Sequence, residues 1–214
     1  MHRDFFLDRQ EAGERLALEL SEHRGTDAVV LGIPRGGVAV AHAVAKALRL
    51  PLDIVLAKKI GHPDNPEFAI GAVSPDAVRM DPRFTTDQAW LSREVARLRH
   101  QLQERTLRYR GAHPPVRIEG RTVIVVDDGV ATGHTLLATL ELLRRQRPAR
   151  IVVAMPVVPP AFVTKGEAAC DAFIHLLTPS DFQSVGQYYA DFAPVEDDEV
   201  VRLYNEARTQ RSPG

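Results

Sequence analysis

Short apolar runs that do not alternate with polar residues recur along this chain of 214 residues, and they restrict the fold more than any other feature. They lie at 27–33, 52–57, 122–127, 150–155 and 171–177. A strand that is apolar at every position has both faces covered, which is typical of parallel sheets. Helical spacing of apolar residues flanks these runs at 8–22, 37–48, 86–109, 134–146 and 197–209. The sequence therefore predicts an α/β fold with a doubly wound, mostly parallel sheet flanked by helices.

A different kind of segment interrupts this pattern. Residues 60–67 are full of turn formers and poorly suited to regular structure. We expect them to form a flexible lid loop, about 58–85 with its flanks, that closes over a bound substrate. Short strands are predicted within it at 68–73 and 77–80.

Residues 156–195 are expected to add a small hood to the same domain, which spans 1–214. Four aromatic side chains of the hood either stack on a heterocycle or pack in the core; these are Phe182, Tyr188, Tyr189 and Phe192. No motif there identifies the heterocycle.

The composition argues against several classes of protein. The formal net charge is −1, so no overall field draws the chain to nucleic acid or to an anionic membrane. No apolar run approaches the ~20 residues of a membrane helix, and residues 1–20 lack the apolar segment of a signal peptide. The one cysteine, Cys170, cannot form an intramolecular disulfide and fits a reducing compartment. We expect a cytoplasmic protein without a membrane partner.

The most informative stretch is VIVVDDGVATGHT, which runs from Val123 to Thr135. It reads as a buried strand, two adjacent carboxylates and a small-residue turn that opens a helix. Main-chain N–H groups at a helix start are unsatisfied, and the helix dipole there favours an anion. The turn is therefore a candidate cradle for a phosphate monoester. The substrate-binding residues expected here are Asp127, Asp128, Gly129, Val130, Ala131, Thr132, Gly133, His134 and Thr135.

The two acids need a separate explanation, because a carboxylate repels phosphate. Asp127 and Asp128 would be accounted for if they accept hydrogen bonds from two vicinal hydroxyls, since a cis-diol presents two donors side by side. A phosphate beside a diol describes ribose 5-phosphate. The alternative is that the acids only cap the helix. If the two acids instead turn inward and pair with arginines, the functional prediction fails and only the fold prediction remains.

Two other phosphate-binding turns do not fit this stretch. A Walker A loop needs G-x-x-x-x-G-K-[ST], whereas Gly129 and Gly133 are separated by three residues and His134 stands where the lysine would be. The dinucleotide pattern G-x-G-x-x-G is absent as well. Neither a P-loop NTPase nor a dinucleotide-binding enzyme is indicated.

Over its 13 residues the stretch resembles the signature of the type I phosphoribosyltransferase family: an apolar strand, two acidic residues, two apolar residues and a Thr/Gly-rich loop. By that resemblance residues 131–135 would bind the 5-phosphate of phosphoribosyl pyrophosphate, and Asp127 and Asp128 the ribose hydroxyls. Gly129 departs from the family, which usually has an aliphatic residue there. Ala131 replaces an aspartate of the hypoxanthine-guanine enzymes, as it does in adenine phosphoribosyltransferases, and argues against hypoxanthine-guanine specificity.

The same resemblance implies an activity. The protein would transfer ribose 5-phosphate from phosphoribosyl pyrophosphate to a nitrogenous base and release pyrophosphate. Mg²⁺ would be required, held by substrate and water with no direct protein ligand. A homodimer is compatible with the family.

A second glycine-containing loop, at 32–37, follows the first strand. It resembles the family's pyrophosphate loop, in which a non-proline cis peptide is common, and Arg35–Gly36 is the candidate bond. Arg35 offers a forked donor matched to phosphate oxygens, while Gly36 and Gly37 permit close approach of the main chain. The alternative is a plain turn with a surface arginine.

Lys58 and Lys59 stand out because only four of the 27 basic residues are lysines. Two adjacent compact cations at a strand end, before the predicted lid, suggest a polyphosphate site; strand-end solubility is the alternative. Lys59 and Arg35 are the candidate catalytic residues.

A regulatory protein that binds phosphoribosyl pyrophosphate without transferase activity is the alternative function. Its nucleic-acid-binding form would need a basic face, for which the arginine-rich helix at 86–110 is the candidate. Glu94 and Glu104 interrupt that face, which is typical of a solvated surface. We therefore expect no nucleic-acid partner.

Overall fold

The computed structural model describes residues 5–209, apart from the side chain of Glu67. Its main layer is a parallel sheet whose five strands are β1 (Val29–Gly32), β2 (Leu52–Ile54), β6 (Thr122–Val126), β7 (Arg150–Val157) and β8 (Ala172–Leu177). Their order is β2-β1-β6-β7-β8, and every neighbouring pair is parallel. Each predicted apolar run contributes one of these strands.

The helices are α1 (Arg9–Glu19), α2 (Gly36–Leu48), α3 (Gln88–Arg110), α4 (His134–Arg144), α5 (Pro160–Ala169) and α6 (Asp197–Thr209). The five predicted helices are confirmed, although the first ends early and is followed by a 3-10 turn at Ser21–His23. The sequence did not predict α5. None of the helices within residues 5–209 has the length and apolar character needed to cross a membrane.

Helices cover both faces of the parallel sheet, which is why its strands are predominantly apolar. On one face, Ile124 packs with Val44 of α2 and with residues of α1. On the other face, Val125 packs with Leu140 of α4 and Phe162 of α5. Full burial of an aliphatic side chain contributes roughly 1.5–3 kcal/mol each, so these two layers fix the strands that carry the site. The predicted doubly wound arrangement is confirmed.

A second, antiparallel sheet follows β2. Its strands are β3 (Lys58–His62), β4 (Asn65–Val73) and β5 (Val78–Met80), in the order β3-β4-β5. The prediction that residues 60–67 lack regular structure is wrong: His62 pairs with Asn65 across a two-residue turn.

The reason lies in tertiary packing. The turn formers are confined to the hairpin tip and to an irregular register near Gly61. Ile60 and Ile70 meanwhile pack against Leu98 and Leu102 of α3. The antiparallel sheet also packs on α4, where Ala72 belongs to an apolar cluster with Ala138 and Leu142.

Candidate functional site

Two of the predicted binding segments meet at the carboxyl edge of the parallel sheet. Gly32 of β1 lies opposite Val126 of β6, and the amide of Ile33 donates to the carbonyl of Val126 at 2.9 Å. The strand order reverses between β1 and β6, and open parallel sheets bind ligands in the crevice at such a reversal. The structure therefore brings the loops 33–37 and 127–135 together at one cleft.

The two loops approach so closely that glycine is required where they touch. A Cβ atom on Gly36 would overlap the carboxylate of Asp128. A Cβ atom on Gly37 would lie 2.6 Å from Oδ1 of Asp127 and 2.7 Å from its Cα. These glycines let the main chain of one loop pack directly against the acids of the other.

Asp127 lies at the centre of this contact. Burial raises the pKa of its carboxyl well above the ordinary value, and the neighbouring carboxylate of Asp128 raises it further. The amide of Asp128 donates to Oδ1 of Asp127 at 2.9 Å and opposes the rise in pKa, as does the charge of Arg9. Within residues 5–209, Asp127 forms no ion pair with an arginine. A carboxyl perturbed in this way, in a cleft, is typical of a functional site.

Asp128 is held at both its side chain and its main chain. Nε of Arg9, the first residue of α1, lies 2.9 Å from Oδ2 of Asp128. The hydroxyl of Tyr189 donates to the main-chain carbonyl of Asp128 at 2.6 Å. One of the two acids is thus paired with an arginine. Sequence reasoning missed Arg9, because 119 residues separate it from Asp128 and no motif marks the pair.

The predicted phosphate cradle lies where β6 leads into α4. Gly133 precedes the helix with a φ of 71°, and a Cβ atom there would overlap the ring of Phe162. The amide of Val130 donates to the carbonyl of Val157 at 3.1 Å, which anchors the loop to β7. Ala131, Thr132 and Thr135 are exposed, and the first amides of α4 have no partner within the helix. The geometry suits an anion bound at the helix start.

Gly129, where the family resemblance is broken, has a structural reason. Its φ is 156°, and a Cβ atom would lie 2.6 Å from Cγ1 of Val185. An aliphatic residue would not fit in this position without displacing Val185.

The loop after β1 contains a cis peptide, at Pro34–Arg35 and not at the predicted Arg35–Gly36 bond. The side chain of Arg35 is directed to the start of α6, where Nη1 lies 3.3 Å from Oε2 of Glu196 and 3.9 Å from Oδ1 of Asp197. The loop thus has the backbone feature that the resemblance implied, displaced by one residue. The role of Arg35 stays a prediction.

The two adjacent lysines lie on opposite faces of β3. Nζ of Lys58 donates to Oε1 of Gln101 on α3 at 2.7 Å, and burial lowers the pKa of this lysine. Alternation along β3 places Lys59 on the opposite face. Lys59 pairs in register with Ala72, which packs on α4. Of the two, Lys59 is therefore on the side of the phosphate cradle, and its catalytic role stays a prediction.

The four aromatic residues of the predicted hood differ in their surroundings. Tyr188 and Tyr189 are buried with Phe6 in a cluster beside Val157, so packing accounts for both. Phe182 and Phe192 are only partly buried. The segment that contains them is tied to the N-terminal part of the chain, since the amide of Phe6 donates to the carbonyl of Tyr188 at 2.8 Å.

The arginine-rich helix predicted at 86–110 is α3. Arginines of α3 pair with acids: Arg97 with Glu94, Arg108 with Asp197, and Arg110 with the buried Asp53. The charge of these three arginines is compensated within the protein. No group of three or more metal-binding side chains occurs in the part of the chain that the structure describes.

Comparison with known proteins adds independent findings. Residues 6–171 match the family described as "Phosphoribosyl transferase domain". The crystal structure of TT1426 from Thermus thermophilus is similar with a TM-score of 0.88 and 44% sequence identity, over 94% of this chain and 98% of that one. Two Mycobacterium tuberculosis strains have a protein named "Putative phosphoribosyl transferase" that is 39% identical over 207 residues.

These similarities are partial in two respects. The chain covers 47% of the mycobacterial proteins and so spans about half the length of the curated relatives it matches. A hypoxanthine-guanine phosphoribosyltransferase from Bacillus anthracis is similar at 16% identity with a TM-score of 0.48, over 85% of this chain and 87% of that one. That likeness is too distant to bear on the substrate.

Proposed function

We propose, from the premise that this chain belongs to the phosphoribosyl transferase domain family, that it transfers ribose 5-phosphate from phosphoribosyl pyrophosphate to a nitrogenous base and releases pyrophosphate. One observation carries the proposal. The loops at 33–37 and 127–135 converge at the strand reversal, with two acids enclosed between two segments suited to anions.

Each part of the donor has a proposed partner in this cleft. The main-chain amides of 131–135, with the hydroxyls of Thr132 and Thr135, would bind the 5-phosphate. Asp127 and Asp128 would accept hydrogen bonds from the ribose hydroxyls. The loop at 33–37 would bind the pyrophosphate group, and its nearness to the acids sets the distance between the two binding regions.

The reaction breaks the bond from the anomeric carbon to pyrophosphate, and both electrons leave with the pyrophosphate oxygen. A nitrogen of the base forms the new bond to the same carbon with its electron pair, and the proton that this nitrogen carried is released to solvent. The protein's task is to hold the two reactants in line and to stabilise the charge that develops on the leaving group. Arg35 and Lys59 are the proposed cationic groups, because they are the basic residues of the loop after β1 and of the strand face beside α4.

Magnesium is part of the proposal. The donor set of the cleft is a pair of adjacent carboxylates, and oxygen ligands suit Mg²⁺, which usually retains several waters and contacts substrate phosphates. Asp127 and Asp128 are the residues that would hold the ion, through bound water and substrate. When bound, Mg²⁺ would neutralise part of the charge of pyrophosphate.

The test is an assay of pyrophosphate release with phosphoribosyl pyrophosphate, Mg²⁺ and a panel of purine and pyrimidine bases. We expect release with at least one base, and none after Asp127→Asn combined with Asp128→Asn. Calorimetry should show that the double variant has lost donor binding, while circular dichroism shows that it is folded. Unchanged donor affinity in the folded double variant would end the assignment of the acids.

The same experiment separates the alternative function. A regulatory protein would bind the donor in calorimetry and release no pyrophosphate with any base. The enclosed acids support donor binding in either case, so turnover is the measurement that decides between them.

A further inference from the structure

We infer that Arg9 is a positioning residue for donor binding, which holds Asp128 in the orientation that accepts a ribose hydroxyl and ties it to the segment 188–193. The inference rests on the proposed function, since that function makes Asp128 a donor-binding acid. It adds a residue from the first helix to a site that is otherwise built from two sheet loops.

Three contacts fix the guanidinium of Arg9. Its Nε lies 2.9 Å from Oδ2 of Asp128, and its Nη1 donates to the carbonyl of Ala193 at 2.9 Å. Its Cζ lies 3.9 Å from the centre of the Phe192 ring. The side chains of Arg9 and Asp128 are only 12% and 17% exposed, so the pair is largely shielded from water. An enclosed and stacked guanidinium is a fixed group, unlike the arginine of a typical surface ion pair.

The surroundings are shaped around this pair. A Cβ atom on Gly36 would lie 3.0 Å from Nε of Arg9 and would overlap the carboxylate of Asp128. The ring of Phe192 in turn contacts that of Tyr189, with centres 4.9 Å apart, and Tyr189 donates its hydroxyl to the carbonyl of Asp128. Residue 128 is therefore held at its carboxylate by Arg9 and at its carbonyl by Tyr189. The ring of Phe192 contacts both of these partners.

Charge gives the pair a function beyond packing. Asp127 and Asp128 are adjacent acids in a cleft that is proposed to bind a highly charged anion, and Arg9 offsets one of the two negative charges. An ionised carboxylate has about four acceptor sites. A single bond from Arg9 therefore orients Asp128 and leaves acceptor capacity for a hydroxyl.

A lysine would not reproduce this arrangement. Its ammonium is a point charge without the planar fork, so it could approach Asp128 but could not also stack on Phe192 in the same geometry. This difference makes Arg9→Lys a useful variant, because it retains the charge and removes the orientation.

The experiment measures donor KM and kcat for pyrophosphate release, and donor affinity by calorimetry, in Arg9→Met, Arg9→Lys and Asp128→Asn and in the combined Arg9→Met/Asp128→Asn protein. We expect Arg9→Met to raise the donor KM about 10–100-fold, as for loss of a charged hydrogen-bonding partner, with kcat changed less than about threefold. Arg9→Lys should recover part of the loss. In the Asp128→Asn background, Arg9→Met should cause no further loss.

A second cycle keeps the inference testable where Asp128→Asn binds too weakly to measure. Phe192→Leu removes the ring that supports Arg9 and should raise the donor KM by a smaller factor, and this effect should disappear in the Arg9→Met background. Arg15→Met is the matched control, because Arg15 lies on the same helix and stacks on Phe6 at 4.6 Å without a contact to the acids. It should leave the donor KM unchanged.

The outcomes are distinct. The inference is wrong if Arg9→Met weakens donor binding equally in the wild-type and Asp128→Asn backgrounds. It is also wrong if Phe192→Leu weakens donor binding equally in the wild-type and Arg9→Met backgrounds. Either result leaves the proposed function intact. A loss with Arg15→Met as large as with Arg9→Met would also overturn the inference, since helix packing would then explain both. A wild-type protein that neither binds nor uses the donor would reject the proposed function itself.

Discussion

One aspartate follows β5 of the antiparallel sheet and another follows β6 of the parallel sheet, and their pKa values are shifted in opposite directions. Asp81, after β5, is hydrogen-bonded to Arg83 at the protein surface, and this bond lowers its pKa to about 2. Asp127, after β6, is enclosed between two loops, and burial raises its pKa well above the ordinary value. Enclosure between two loops at the carboxyl edge of the parallel sheet, more than residue type, distinguishes the candidate functional acid from a surface acid.

The same contrast holds for the strands. Every residue of β1 is buried, whereas most of β3 and all of β5 are only partly buried. The two regions are joined at Asp53 in β2, which accepts hydrogen bonds from Nε of Arg110 at 3.0 Å and from the amide of Val116 at 2.7 Å. Arg110 ends the helix α3 that covers the antiparallel sheet.

Breaking this joint should have the largest effect on stability. Asp53→Ala leaves the largely buried guanidinium of Arg110 without its carboxylate, which costs about 3–5 kcal/mol. Urea unfolding should be followed by far-UV circular dichroism and by the fluorescence of Trp90, the one tryptophan, which packs beside the antiparallel sheet.

A control variant and the unfolding midpoints decide whether Asp53 couples the two sheets. Asp53→Asn should lose less, since an amide oxygen can still accept from Val116. If the two signals give separate midpoints in Asp53→Ala, the joint couples the sheets; a loss below about 1 kcal/mol would show that it does not.

Glycine substitutions at the two sheets should separate their roles in donor binding. Gly37→Ala places a methyl group against the backbone of Asp127 and should weaken donor binding on the order of 100-fold, with a stability loss of about 1–3 kcal/mol. Gly71→Ala meets the carbonyl of Arg79 at 2.5 Å in the antiparallel sheet and should lose similar stability. Calorimetry of the folded variants should find donor affinity nearly unchanged for Gly71→Ala. Equal losses of affinity would remove the distinction.

The smallest expected effects concern pH. Since the pKa of Asp127 is raised in the folded protein, ionising it disfavours folding, so the free energy of unfolding should fall as the pH rises from about 4 through the raised pKa. Asp127→Asn should remove this fall and raise the Tm at neutral pH. If the difference in Tm between the wild-type protein and Asp127→Asn does not change with pH, the raised pKa does not belong to Asp127.

The pKa shift of Asp81 affects stability in the opposite direction. Its lowered pKa supports folding above about pH 4, and the support is lost as the pH falls toward 2. Because the group lies at the surface and is screened by solvent, this support is small, and Asp81→Asn should lower the Tm at neutral pH only slightly. An NMR titration of Asp81 in the wild-type protein should give a pKa of about 2.

The comparison also separates what could be predicted from the residues. The apolar runs predicted all five strands of the parallel sheet, because a strand buried on both faces has a composition that does not depend on its partners. The acids and small residues at 127–135 predicted where the candidate site lies, because the turn chemistry is local. Residues 60–67 were mistaken for irregular structure, since their turn formers did not reveal that Ile60 and Ile70 would find apolar partners on α3.

The sequence alone determined the parallel sheet, the helix start after Gly133 and the position of the acid pair, since each is specified by neighbours along the chain. Tertiary structure alone decided that Gly36 and Gly37 face those acids, that Lys58 faces α3 and that Lys59 lies on the side of α4. It also decided that Arg9, 119 residues away, holds Asp128. The physical reason is that these contacts join distant segments through packing in the folded state, and no local preference of the chain encodes such a meeting.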